Sequence, residues 1–406
     1  MTAAAFITFG LSVGIPYYNK DFFNDYFQRE FNWTRGQITL GFPLAALLTL
    51  WIGPLVIHRA SPRKLIILGT GLTAVALFGL GRMSSGSLSV YYALWVVYTL
   101  GYIFSGPIPH QLIVSHWFRR NRGKAMAVVY VGVGLMGSVG SFLVKPITQS
   151  YGYHTTLIVL AGMMFLAWPL ALFALKDKPS DVGQFPDGDA VAPAEAKIES
   201  LTFRQLLASY PFWLLLIGSF CSIGSIGAIN VHMKFVFLDE GYEKGALVDG
   251  AWRTAQIIIL WSSIGGRLLI GGLADRISKK TVMTATYFLV AATIPLLLIV
   301  RPSAEVYLYA FAVLFGFGMG ADYMLIPLMA AEQFGVNSLA RAMAVILPVN
   351  TIGQTWFPYF VSVLRDNYGS YWIAMSAVLA VALVGAASIA LLPKHTQVEE
   401  AEARKT

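Results

Sequence analysis

The stretch GGRLLIGGLADRISKK, residues Gly265 to Lys280, contains one arginine, Arg267, within an otherwise apolar segment that ends in a charged turn. The turn begins at Asp275, and a helical rise of 1.5 Å per residue puts Arg267 about 12 Å further into the segment. A membrane hydrocarbon core is about 30 Å thick, so this arginine would lie near its middle. An ionisable residue at that depth is energetically costly and indicates a functional site.

The composition of the whole chain indicates a membrane protein. Of its 406 residues, 56% are hydrophobic and only 12% are charged, which is far more apolar than a soluble domain. Runs of about 20 apolar residues recur between Gly, Pro and charge clusters. We therefore predict an all-α polytopic membrane protein. Its twelve transmembrane helices are predicted at residues 2–26, 37–57, 65–84, 88–115, 123–145, 153–175, 210–236, 250–273, 281–300, 306–330, 342–364 and 371–392.

The distribution of charge predicts the orientation. With both termini in the cytoplasm, the larger share of the 29 Lys and Arg residues, including the run RRNRGK, lies on the inside, as the positive-inside rule requires. The net charge of +8 then follows mostly from topology. It indicates no nucleic-acid partner, because no basic surface with interleaved aromatic residues remains outside the helices. No basic segment or cleavage site precedes the first helix, so we expect no signal peptide.

Sequence motifs in a context that supports catalysis or metal binding are absent. The chain contains no HExxH, P-loop or CxxC sequence, and its single GxSxG match, GLSVG at residues 10–14, lies inside the first predicted transmembrane span rather than at a strand-to-helix turn. Its single cysteine, Cys221, excludes an internal disulfide and a cysteine-based metal cluster. We therefore expect a protein that is not an enzyme and needs no cofactor or metal.

The apolar pattern stops once, in a polar stretch rich in Pro, Gly and Ala that begins at Lys176. This stretch separates six predicted helices from six others, which suggests an internal repeat. We predict a first six-helix bundle at residues 1–175, a cytoplasmic linker at 176–209, a second bundle at 210–393 and a cytoplasmic tail at 394–406.

Several motifs resemble a known family. The turn after Arg267 resembles the loop signature of the major facilitator superfamily, in which an aspartate lies against basic residues at a helix end and takes part in gating; the matching residues are Gly271, Leu273, Asp275, Arg276, Lys279 and Lys280. The equivalent turn in the first half departs from the signature at His58 and Ser61. The sequences FNWTRGQI, WFRRNRGKAMA and EQFG, in that order, are similar to the branch that contains oxalate/formate exchangers and monocarboxylate porters.

The resemblance covers essentially the whole chain and implies two pseudo-symmetric six-helix bundles around a central cavity, working by alternating access. In that branch an arginine matching Arg267 binds the substrate. A guanidinium facing a wet cavity can hold a carboxylate through two hydrogen bonds. The alternative is a structural ion pair inside the second bundle.

Asp322 is an acidic residue placed deep in a helix, about 15 Å from the turn at Glu332. Its depth is close to that of Arg267, and a buried carboxylate beside a guanidinium could change protonation when an anion binds. The monocarboxylate porters have their aspartate four residues before the arginine, where this chain has Ser263. Asp322 is either a relocated proton-coupling residue or the neutralising partner of Arg267.

Three further residues of the second half complete the predicted binding site. Tyr323 resembles a cavity tyrosine of the oxalate exchangers, although a packing role is also open. Asn350 stands where those exchangers have a second cation, a lysine, and Gln354 lies one turn further on. A single cation suits a single carboxylate, because a dianion would keep one charge uncompensated.

Weaker candidates lie in both halves. Lys20 resembles the helix-1 lysine of the monocarboxylate porters, with Tyr17 and Tyr18 just inside it; it could relay a proton or snorkel to the interface. His110 and His232 lie within predicted spans, one in each half, and either could titrate near neutral pH. A hydrogen-bonded packing histidine is the alternative for both.

The residues and the resemblance together predict a secondary active transporter of small monocarboxylates such as lactate or pyruvate, coupled to protons. Its partners would be the carboxylate, the proton and the lipid bilayer. Arg267, Tyr323, Asn350 and Tyr18 would bind the substrate, and Asp322 or Lys20 would carry the proton. We expect a monomer in a prokaryotic inner membrane. The alternatives are a carboxylate exchanger and, more remotely, a carboxylate receptor that does not transport.

Overall fold

A computed structural model describes residues 1–49, 51–189, 200–242 and 250–393 of the chain. Every regular element in these ranges is helical, as the apolar pattern predicts. The middle of the predicted linker, residues 190–199, and the predicted tail, residues 394–406, lie outside the described residues.

The main helices are numbered α1 to α12 in chain order, and each overlaps one predicted span. They are α1 (Thr2–Phe9, a π turn Gly10–Gly14, Ile15–Asn19, a 3-10 turn Lys20–Phe23 and Asn24–Phe31), α2 (Arg35–Thr39, Gly41–Thr49 and Ile52–Val56), α3 (Pro62–Gly81), α4 (Leu88–Ser105 and Pro107–Trp117), α5 and α6 (the run Arg122–Met164, divided at Gly152, then Ala167–Pro169 and Leu170–Ala174), α7 (Tyr210–Asp239), α8 (Trp252–Ala274), α9 (Lys279–Leu298), α10 (Glu305–Phe334), α11 (Val336–Tyr368) and α12 (Tyr371–Ala390).

Within the described ranges, eight helical runs are long and apolar enough to cross a membrane by length and composition. One of them joins α5 to α6 through Gly152. The φ of Gly152 is 81°, which lies in the left-handed region that glycine adopts without steric cost. The predicted spans that do not reach this standard as single helices are α1 and α2, which are interrupted, and α11, which carries more polar residues.

The chain forms two compact units. They are Met1–Glu195 with Met343–Val345, and Ala196–Ala342 with Ile346–Thr406. The first unit has an aromatic core that includes Tyr91, Trp95 and Tyr98. The second has a core of aliphatic residues and stacked phenylalanines, such as Phe311 and Phe315. Each unit therefore buries its own apolar interior.

In the first unit, α4 is broken in its middle. Gly106 leaves the helical conformation, and Pro107 has no N–H to continue the hydrogen-bond ladder. A broken helix at membrane depth needs other partners for its backbone groups. Nδ1 of His110 lies 2.8 Å from the Gly106 carbonyl oxygen, and the Ser12 hydroxyl donates to the Ser105 carbonyl at 2.9 Å. Side chains of α1 and α4 thus supply hydrogen-bond partners to the backbone carbonyls at the break.

In the second unit, glycines bring α8 and α10 into backbone contact. A Cβ atom added to Gly316 would lie 2.5 Å from the carbonyl oxygen of Ile259, and one added to Gly266 would lie 2.1 Å from that of Phe317. Small residues at such positions let membrane helices approach closely. By contrast, α8 has room at Gly265, where an added Cβ would meet nothing within 4 Å.

Gly316→Ala should therefore separate α8 from α10 and destabilise the protein by about 1–3 kcal/mol, the usual effect of overpacking. Gly265→Ala is the matched control, because it adds the same methyl group to a helix at an open position and should be neutral or slightly stabilising. Thermal unfolding of the detergent-solubilised variants measures both effects. Equal unfolding temperatures for the two variants would contradict the close contact.

The start of the linker docks on the turn between α4 and α5. The carboxylate of Asp187 accepts backbone N–H groups from Arg119 at 2.9 Å, Arg120 at 2.8 Å and Asn121 at 3.4 Å. Partial burial raises the pKa of Asp187, but these backbone donors outweigh it and hold the pKa below its usual range. The ionised carboxylate therefore ties the linker to the first unit.

Asp187→Asn should release this part of the linker and speed its proteolysis at neutral pH several-fold. Because the docked state has the lower pKa, the contact contributes above about pH 4, the ordinary pKa of aspartate, and is lost as pH falls further. Asp181→Asn is the control, since that carboxylate accepts from Lys178 within its own turn. Identical cleavage rates for wild type and Asp187→Asn would exclude the docking contact.

Candidate functional site

Arg267 lies on α8 where that helix touches α10. Its Nε–H donates to the backbone carbonyl of Gly320 at 3.0 Å, and the side chain is partly buried. Position 320 has to be glycine, because a Cβ there would lie 2.2 Å from the carbonyl oxygen of Ser263. The glycine contact thus sets the position of the guanidinium, and the bond through Nε fixes its plane. A cation held in this way is suited to an anionic ligand.

Asp322 lies on α10 but does not form an ion pair with Arg267. Its carboxylate is 0% exposed, and Oδ2 accepts the Ser222 hydroxyl of α7 at 2.5 Å. Oδ1 has no hydrogen-bond partner among the described residues, and the Tyr287 side chain of α9 lies next to the carboxyl group. Asp322 is two helical positions after Gly320. Its side chain therefore points about 200° away from the direction of position 320, where Arg267 contacts α10.

Tyr323 and Gln354 meet between α10 and α11. The Tyr323 hydroxyl donates to Oε1 of Gln354 at 2.8 Å, and both side chains are partly buried. Because adjacent helical residues point about 100° apart, Asp322 faces α7 while Tyr323 faces α11. Asp322 and Tyr323 therefore have polar partners on two different helices.

Asn350 lies on α11 one turn before Gln354 and is 0% exposed. Its Oδ1 accepts the Ser219 hydroxyl of α7 at 3.0 Å. Its Nδ2 has no hydrogen-bond partner within the described ranges. An unpaired buried donor costs about 1–3 kcal/mol, and such a group can be retained for function rather than stability.

These contacts close a ring around three helices, which we call the polar ring. Its members are Ser219 and Ser222 of α7, Asp322 and Tyr323 of α10, and Asn350 and Gln354 of α11. Each helix gives two side chains, one to each neighbour. The ring contains one carboxyl group, and the candidate cation on α8 contacts the same helix that carries it.

On α1 of the first unit, the predicted residues Lys20, Tyr17 and Tyr18 lie together. Lys20 is ion-paired with Asp21 at 2.9 Å, and its Nζ lies 4.5 Å from the centre of the Tyr17 ring. Tyr17 stacks on Tyr102, whereas Tyr18 is 56% exposed. The ammonium group thus has an acidic and an aromatic partner, an arrangement that fits either a relay or a snorkelling lysine.

Both candidate histidines are buried and hydrogen-bonded. Nε2 of His110 lies 3.0 Å from the Thr8 hydroxyl, in addition to the contact of Nδ1 with Gly106. Nδ1 of His232 lies 3.2 Å from the Tyr371 hydroxyl, and Nε2 lies 2.8 Å from the Pro358 carbonyl oxygen. Since one ring nitrogen of each histidine faces a backbone carbonyl, that nitrogen carries the proton. These contacts favour packing roles, and neither histidine belongs to the polar ring.

The predicted gating turn follows α8. Asp275 is partly buried and Arg276 is exposed. Nearby, Lys279 at the start of α9 pairs with Glu332 at the end of α10 at 2.6 Å. In the first unit Ser61 donates to Asp177, while the side chain of His58 lies outside the described part of the chain.

Three residues of the site were not among the sequence candidates. Ser219, Ser222 and Tyr287 have no charge that would draw attention in an apolar helix. A weak signal was present, because GSFCSIGS places serines at 219, 222 and 225, at the spacing of one helical face. Serine alone does not predict whether that face meets a carboxylate or another helix.

Known proteins resemble this chain in sequence and in fold. The profile of the Major Facilitator Superfamily matches residues 1–266 and 251–406. The chain is 24% identical over 363 residues to monocarboxylate transporter 10 of Danio rerio, covering 85% of this chain and 69% of that protein. It is 26% identical over 382 residues to monocarboxylate transporter 12 of Rattus norvegicus, covering 86% and 76%. The crystal structure of the E. coli fucose:proton symporter FucP is similar in fold, with a TM-score of 0.71 and 14% identity, covering 97% of this chain and 98% of that chain.

Proposed function

The chain belongs to the Major Facilitator Superfamily of membrane transporters, and we propose that it carries small monocarboxylates together with a proton. The transport would proceed by alternating access across the cell membrane, with both termini in the cytoplasm and the protein acting as a monomer. The relatives named monocarboxylate transporters support the substrate class. Transport, rather than catalysis, is the activity that this family implies.

The observation that carries the proposal is the position of Arg267. A guanidinium fixed on α8 against the Gly320 carbonyl can bind the two oxygens of a carboxylate. Asn350, where the exchangers have a second cation, carries no charge and supports one carboxylate per substrate. Tyr323 and Gln354 would bind a hydroxyl or keto group of the substrate. Tyr18 stays a substrate contact proposed from the sequence.

Asp322 is the proposed proton carrier. It is fully buried without an ion pair to Arg267, and one of its oxygens has no hydrogen-bond partner in the described residues. A buried, unpaired carboxyl group is stable when it is neutral and costly when it is ionised. Proton binding and release at such a group can therefore be coupled to a change in its surroundings. Lys20 remains the second candidate for this role, and Asp275 and Arg276 are the proposed gating residues.

Arg267→Ala should abolish the thermal stabilisation that monocarboxylates give to the purified protein. Arg267→Lys should restore it only in part, because an ammonium group cannot reproduce the planar two-bond contact. Arg301→Ala, which removes an exposed arginine beside α10, is the control and should respond as wild type. The measurement is a thermal-shift series with lactate, pyruvate and dicarboxylates. Stabilisation by dicarboxylates, or stabilisation that survives Arg267→Ala, would contradict the single-carboxylate site.

Asp322→Asn should abolish lactate accumulation driven by a pH gradient in liposomes while leaving lactate/lactate counterflow measurable. The amide keeps the shape of the side chain but cannot release a proton at accessible pH. Asp366→Asn, at an exposed carboxylate near the end of α11, is the control and should accumulate substrate as wild type. Obligatory exchange that is insensitive to pH in the wild-type protein would instead favour a carboxylate exchanger.

A further inference from the structure

The two oxygens of Asp322 have different surroundings. Oδ2 accepts the Ser222 hydroxyl at 2.5 Å. Oδ1 is buried and lacks a hydrogen-bond partner among the described residues, and the same is true of the neighbouring Tyr287 hydroxyl. A hydroxyl group that donates to one carboxylate oxygen leaves the other as the oxygen on which a proton can settle.

The Ser222 hydroxyl donates its hydrogen bond to another helix. The next serine on the same helix face, Ser225, donates to the carbonyl of Cys221 in its own helix at 2.7 Å. The hydroxyl of Ser222 instead leaves α7 and reaches α10. Ser219, one turn earlier, makes the equivalent contact with Asn350 on α11. Two serines of α7, one turn apart, thus donate to two different helices.

The Tyr287 side chain of α9 lies against the Asp322 carboxyl group. Cys221 of α7 and Tyr323 of α10 lie near the Tyr287 hydroxyl. Arg267 on α8 is directed to the Gly320 carbonyl instead. Among the described residues, the Ser222 hydroxyl is the group that hydrogen-bonds to this carboxylate.

We infer that Ser222 is a positioning residue for proton coupling: its hydroxyl holds Oδ2 of Asp322 as the carbonyl oxygen, so that the transported proton binds Oδ1 beside the Tyr287 hydroxyl. This inference rests on the proposed role of Asp322 as proton carrier. On loading, an O–H bond forms at Oδ1, which removes the negative charge, and no other bond breaks. On release the same bond breaks and the proton leaves to water. Ser222 keeps its own proton throughout.

The loss of Ser222 should change the pH profile rather than only the rate. An ionised carboxylate gains more from a hydroxyl donor than a neutral carboxyl group does. Ser222→Ala should therefore move the midpoint of gradient-driven lactate uptake to higher pH by about one unit. Ser222→Thr retains the hydroxyl and should restore the wild-type midpoint. Ser225→Ala removes a hydroxyl one turn away on the same helix and should leave the midpoint unchanged.

Infrared difference spectra recorded across a pH step test which oxygen takes the proton, and they do not require transport. The carbonyl stretch of the protonated carboxyl group should be present in wild type and absent in Asp322→Asn. In Ser222→Ala it should move to higher frequency, because the carbonyl oxygen loses its hydrogen bond. An unmoved band in a folded Ser222→Ala protein would mean that the proton is not on Oδ1 and would overturn the inference.

The outcomes separate this inference from the proposed function. An unchanged midpoint in Ser222→Ala, together with lost gradient-driven uptake in Asp322→Asn, would overturn the role of Ser222 and keep Asp322 as the proton carrier. Equal loss of uptake in Ser222→Ala and Ser225→Ala, with both midpoints unchanged, would show a purely structural role and would also overturn it. Normal gradient-driven uptake in Asp322→Asn would instead reject the proposed proton carrier itself.

Discussion

The close contact between α8 and α10 is the constraint on which the rest of the second unit depends. Gly266, Gly316 and Gly320 leave no room for side chains between the two backbones. Arg267 consequently reaches a backbone carbonyl on α10, and this contact orients the guanidinium. A guanidinium with a fixed plane suits the two oxygens of a carboxylate.

The same contact decides where Asp322 can act. Since Gly320 occupies the surface of α10 that meets α8, a residue two positions later faces away from that surface. Asp322 therefore meets Ser222 of α7, and the polar ring ties α7, α10 and α11 together. A change of charge at Asp322 therefore acts directly on α7, through the hydrogen bond from Ser222. This gives the proposed coupling a physical route that does not require contact between Asp322 and Arg267.

The position of the proposed proton carrier differs from that in the porters that the sequence resembles. The monocarboxylate porters that the sequence resembles have an aspartate on the helix of the arginine, where this chain has Ser263. Here Ser263 is buried, its backbone packs against Gly320, and its hydroxyl donates to Leu260 of its own helix. Such a position has little room for a hydrated carboxylate. We propose that the proton site lies instead on α10, on the side of that helix turned away from the arginine.

The sequence by itself determined the helical class, the twelve segments and the separation into two halves, because apolar run length is a local property that a membrane makes decisive. It also gave Arg267, Asp322, Tyr323 and Asn350 as candidates, since polar groups in apolar helices are conspicuous. Only the tertiary structure decided which of these residues touch. The rotation of α10 against α8, set by backbone contact at glycines, separated Asp322 from Arg267 and joined it to Ser222, and no local pattern records that rotation.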